Sequence, residues 1–224
     1  MALNINGTTG ISGVEGSVSS PVLTGTDSNC GISFPAADTI KFSTGGVERM
    51  SITNSGVSGT GIGGGKIGQV LQTVKTDTFS RNGSSWGDIT GFGQDITPSA
   101  TTSKVLVMVD IKIGADHGDS DYNFKIVRAG TDIYIGDADG NKRRSSMGTA
   151  SYGMPSNTAD GQYRLEQINL IFLDSPNTTS SINYKLQIIN VGGRTNYINR
   201  NHHNGNTNNT PRTASSFTVM EVLA

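Results

Sequence analysis

Residues 104–113 read Lys-Val-Leu-Val-Met-Val-Asp-Ile-Lys-Ile, and no other stretch limits the possible folds as strongly. Val105, Val107, Val109, Ile111 and Ile113 fall at every second position, which puts them on one face of a strand and scatters them around a helix. Leu106 and Met108 add apolar groups to the opposite face before Asp110 and Lys112 turn it polar. One face therefore enters a core, and half of the other also needs cover. The same two-sided pattern returns in Ile168/Leu170/Phe172 against Ile171/Leu173, and in Phe217/Val219 against Met220/Val222. A single sandwich hides one face of each strand. The second apolar face implies a neighbouring subunit.

Eight strands are expected from this pattern: Val70–Phe79, Trp86–Ile89, Lys104–Ile113, Tyr122–Val127, Asp132–Ile135, Leu165–Leu173, Ile182–Val191 and Phe217–Leu223. Gly, Asn, Ser and Pro separate them, and no stretch carries a convincing helical period. Only 16% of residues are charged and 33% are hydrophobic, with 30 glycines. Few charges with many small polar residues suit a turn-rich all-β protein rather than a disordered one, which needs high net charge. About eight strands over residues 66–224 suit a jelly-roll β-sandwich.

The first third differs. Residues 1–25 are rich in Gly, Ser and Thr with singly spaced apolar residues, and suit an extended arm. Ile32/Phe34, then Ile40/Phe42, then Val47, Met50 and Ile52 form three short strand-like pieces divided by Pro35-Ala36-Ala37-Asp38 and Gly45-Gly46. Each piece holds too few large apolar groups to offset about 1–2 kcal/mol per residue of backbone ordering. It is expected to pair with copies of itself or lean on something larger. The Gly-rich run Asn54–Gly68 divides this extended N-terminal β region, 1–65, from the 66–224 head. Gly63, Gly65 and Gly68 match a dinucleotide-loop spacing, but the following Gln69–Phe79 reads as a strand, so no helix N-terminus meets a phosphate.

The run Cys30-Gly31-Ile32, Pro35-Ala36-Ala37-Asp38-Thr39-Ile40, Phe42 to Ile52 and Gly61-Ile62-Gly63 resembles a segment of bacteriophage tail-fibre and related virion proteins, especially those of marine and cyanobacterial phages. Gln69–Ala224 is similar in pattern to C-terminal domains of phage structural proteins, themselves like the trimeric jelly rolls of the complement/tumour-necrosis-factor type. The resemblance implies a homotrimeric virion protein made in the host cytoplasm, with the last strand near a threefold axis and apical loops that bind. The N-terminal arm would dock on other virion proteins. The expected function is that of a short tail fibre whose head binds the host surface, with a capsid decoration or head fibre as the alternative.

Chemistry-bearing residues are few. The 114–121 loop gathers Asp116, His117, Asp119 and Asp121, a candidate structural metal site, against the plainer reading of a solvated hairpin turn. The segment 196–212 is polar, joins two strong strands and holds a tandem histidine. Tyr197, Asn199, Arg200, His202, His203 and Asn204 supply the amide, imidazole and ring groups that a host glycan would meet, against the plainer reading of a solvated or packing loop. No cofactor is expected. Facing carboxylates, a Gly-x-Ser-x-Gly elbow and Cys/His pairs are not evident, so an enzyme is not expected. A net charge of −1 argues against nucleic acid, and no apolar run approaches the roughly 18 residues of a membrane span.

Overall fold

The computed structural model describes residues 4–6, 10–12, 15–59, 67–116, 121–149, 163–191 and 193–223. Every regular element among them is a β-strand, and none is a helix. The chain divides into two compact units, Met1–Gly64 and Gly65–Ala224.

In the first unit, β1 (Asn4–Asn6) and β2 (Gly10–Ser12) form an antiparallel pair. The central stretch forms a meander of β3 (Leu23–Thr24), β4 (Gly31–Ser33), β5 (Ile40–Thr44), β6 (Val47–Thr53) and β7 (Gly56–Ser58) in chain order. The short pieces thus pair with one another within one chain. Gly45 and Gly46, with φ of 60° and 72°, make the β5–β6 turn that L side chains rarely allow. Register lines Leu23, Ile32, Phe42 and Met50 into one cross-strand row. No member of that row is fully buried.

The second unit is a sandwich. One sheet holds β8 (Ile67–Lys75), β18 (Ser215–Val222), β11 (Lys104–Ala115) and β15 (Glu166–Asp174) side by side. β17 (Asn196–Ile198) continues the line of β18 along β11, and β9 (Phe79–Arg81) continues that of β8. The other sheet runs β10 (Gly87–Ile96), β16 (Ile182–Val191) and β12 (Asp121–Arg128), whose far edge pairs with β13 (Thr131–Ile133) and β14 (Met147–Thr149). Successive long strands β10 and β11, and again β15 and β16, lie in opposite sheets. This order, 8-18-11-15 against 10-16-12-13, is that of a jelly roll.

The alternation of residues 105–113 sets the core. Val105, Val107, Val109, Ile111 and Ile113 are all buried, facing Phe124, Ile126, Tyr184, Leu186 and Ile188. Phe92 meets Phe217 edge-on at 5.7 Å. Three expected strands change most. Trp86–Ile89 lengthens to Gly87–Ile96 because the ladder crosses an irregularity between Asp88 and Gly93 and then resumes, with Gly91 at a φ of 70°. Val70–Phe79 breaks into β8 and β9 at the place where its neighbour breaks into β18 and β17. Asp132–Ile135 ends at Ile133, and Tyr134, at a φ of 52°, stacks on Phe172 at 4.7 Å.

One buried acid closes the sandwich end. Glu221 is almost fully buried, and its carboxylate accepts bonds from Ser99 N at 2.5 Å, Ser99 Oγ at 2.6 Å and Gln69 Nε2 at 2.8 Å. Burial alone would raise its pKa. The bonds from Ser99 and Gln69 outweigh that and hold it down at about 2. A carboxyl depressed on folding adds stability above its unfolded pKa, and that stability is lost as pH falls toward the folded one. The melting temperature should therefore drop between pH 4.5 and 2.5 more steeply in the native protein than in Glu221→Gln, measured by circular dichroism.

Candidate functional site

The segment after β17 is rooted by Asn199. Its φ of 62° lies in the left-handed region, which asparagine tolerates better than most residues. Its side chain is fully buried. The amide donates to Lys75 O at 2.7 Å and Asp77 O at 3.0 Å, across the β8–β9 break, and accepts from Ser215 Oγ at 2.6 Å. Its backbone N–H donates to Lys112 O at 3.0 Å. One residue thus ties together the breaks of two neighbouring strands and the central strand. Asn199 is therefore an internal anchor and not the surface contact expected of it.

Beyond this anchor Arg200 and Arg212 pair as an isolated antiparallel bridge. The Arg200 guanidinium lies 3.8 Å from the Tyr197 ring centre, and Nη1 donates to Asn201 O at 3.0 Å. Tyr197 is buried, so its ring is a floor for Arg200 rather than an open platform for a sugar. Its hydroxyl lies 3.0 Å from His202 Nδ1. Desolvation lowers the Arg200 pKa, and the like charge of Arg212 adds to the effect. The exposed ring here is Tyr163, which packs at a 39° tilt against His203, with centroids 4.7 Å apart. Asn201 is fully buried, and its side chain accepts the Asn204 N–H at 3.2 Å. Asn204 itself is exposed.

Of the six candidate binding residues, Tyr197, Arg200 and His202 come together, His203 joins Tyr163 beside them, and Asn204 sits on the outer turn. Tyr163 and Arg212 were not singled out by the sequence. Arg212 had a signal in lying on the same segment. Tyr163 had none, because it arrives from another part of the chain.

Of the candidate metal ligands, His117 and Asp119 lie outside the described residues. Asp116 Oδ2 accepts the Thr195 N–H at 2.8 Å, and Asp121 starts β12 opposite Val191. Among the described residues no group of three His, Cys, Asp or Glu side chains could hold a metal.

A second surface is set by register. On the outer face of the β8-β18-β11-β15 sheet, Val70, Met220, Leu106 and Leu173 stand in one cross-strand row, with Gln72, Thr218, Met108 and Ile171 in the next. Val70 is 57%, Ile171 58% and Leu173 45% exposed. These are the second-face residues whose pattern called for cover.

No protein-family model matches the chain, and no curated protein matches it in sequence. Among solved structures it is similar to that of infectious bursal disease virus, Gt strain, at 14% identity and a TM-score of 0.37, covering 94% of this chain and 56% of that one. A mutant VP2 protein of the same virus in T=1 particles gives 13% identity and 0.35, covering 94% and 54%. The Gx strain gives 12% and 0.34, covering 70% and 37%. The chain spans about a third to a half of the chains it matches. At TM-scores below 0.5 these likenesses do not establish a shared fold.

Replacing Asn199 with Ala strands three polar partners and forces a left-handed backbone on a residue that disfavours it. Stability should fall by roughly 2–4 kcal/mol in urea unfolding.

Proposed function

We propose that this protein is a homotrimeric virion structural protein, a short tail fibre whose head unit meets the host surface through the 196–212 segment. The apolar groups on the outer sheet face, with Val70, Ile171 and Leu173 about half exposed, carry the self-assembly half of the reading. Four strands about 4.8 Å apart, with two outward rows about 7 Å apart along them, give a face of roughly 270 Å². That is about a third of the roughly 800 Å² that each partner buries in a stable pair. In a cyclic trimer each subunit meets two neighbours, which doubles the area it buries. The half-exposed row of the first unit is consistent with the same habit, and the N-terminal arm is the part left to dock on other virion proteins.

The host-contact half rests on the 199–212 excursion, where exposed imidazole, amide and guanidinium groups stand on a buried polar anchor. Weak sites repeated on three chains gain strength from one another. This reading involves no catalytic step.

Two outcomes follow. Leu106→Glu places a charge in the middle of the apolar row and should convert trimers to monomers in sedimentation velocity, with the sandwich still folded. A native protein that sediments as a monomer would overturn the assembly reading. Replacing His202, His203 and Asn204 together with Ala, which spares both buried asparagines, should cut adsorption of particles to host cells at least tenfold. Unchanged adsorption would favour a decoration or head-fibre role.

A further inference from the structure

Arg200 and Arg212 face each other across a β-bridge. Side chains of directly opposed residues leave the backbone about 5 Å apart on the same side, and like charges placed so repel. Two other arginines are neutralised by carboxylates: Arg128 by Asp174 at 2.8 Å, and Arg164 by Glu166 at 2.5 Å. No carboxylate ion-pairs with Arg200 or Arg212 among the described residues. The repulsion is built in, because Tyr197 beneath Arg200 and the carbonyls of Asn201 and His202 beside it hold that guanidinium in place. His202 and His203 follow directly, and the exposed Tyr163–His203 ring pair lies beside them. One held cation and one exposed cation opposite it, neither with a carboxylate partner among the described residues and both next to an exposed aromatic, form a receptor for an anion carried on a ring.

We infer that this site takes an acidic saccharide, a sugar bearing a carboxylate or a phosphate, with the Arg200–Arg212 pair holding the anion and Tyr163 with His203 meeting the sugar ring. The inference rests on the host-surface reading of the segment and narrows it to charged glycans. Guanidinium forks match both carboxylate and phosphate geometry, and Arg212 remains exposed and able to reach outward. Burial lowers the Arg200 pKa and the like charge of Arg212 adds to that, and an arriving anion offsets both costs to the charged form by its opposite charge. Binding should weaken with salt, as exposed charges are screened over about 10 Å at 0.1 M.

The test is calorimetric titration of the full chain with four probes: glucuronate, glucose 6-phosphate, glucose and inorganic phosphate. At least one acidic sugar should bind ten times more tightly than glucose and more tightly than inorganic phosphate, and the preferred one identifies the anion. Arg212→Gln should lose about tenfold of that affinity with its melting temperature unchanged, and Arg212→Lys should recover part of it. Glucose binding as well as glucuronate, or Arg212→Gln binding as the native protein does, would overturn the acidic preference. Inorganic phosphate binding as well as glucose 6-phosphate would overturn the role of the sugar ring. If no probe binds while the His202/His203/Asn204 variant still loses adsorption, the acidic-saccharide inference falls and the host-surface reading stands. If adsorption is also unaffected, both fall.

Discussion

A β-strand has two faces, and a two-layer sandwich hides one of them. In this protein the central strand β11 meets that constraint at its sharpest. Its inner face is an unbroken row of Val and Ile, and pairing with β18 on one side and β15 on the other fixes the register of the sheet. Slipping either neighbour by one residue would turn its core residues outward. The same registration aligns the outward residues Val70, Met220, Leu106 and Leu173 across four strands. The core and the apolar outer surface are therefore consequences of one pairing pattern.

The strand breaks gather polar side chains at one end of the sandwich. β8/β9 and β18/β17 interrupt side by side, and the freed backbone carbonyls of Lys75 and Asp77 are satisfied by the Asn199 amide. Because that junction is internally satisfied, the excursion beyond it can carry repelling arginines and exposed rings without loosening the sheets. A rigid framework holding polar loops is the usual arrangement for recognition.

Much of the fold was legible because period-two alternation over ten residues has one structural meaning. The 105–113 run placed the core strand and announced an apolar second face, while Gly45-Gly46 marked a turn that the backbone confirms. The short elements β9, β14 and β17 were not legible. Three residues cannot display a period, and these exist only because longer neighbours offer an edge. The 196–212 segment was legible as unusual, but its internal division was not. Asn199 reads like any polar loop residue until Lys75, 124 positions away, is seen to be its partner. Tyr197 reads as an open ring until Arg200 is found over it. Long-range contacts decide which polar residues anchor and which remain outside.

The central claim is that the outer sheet face is covered in the assembled protein. Met108 and Met220 sit on that face and report on it directly, since solvent access governs methionine oxidation. Hydroxyl-radical footprinting should find both at least tenfold more slowly oxidised in the native protein than in Leu106→Glu. Equal rates in the two proteins would mean that the face lies open to solvent and would contradict the account.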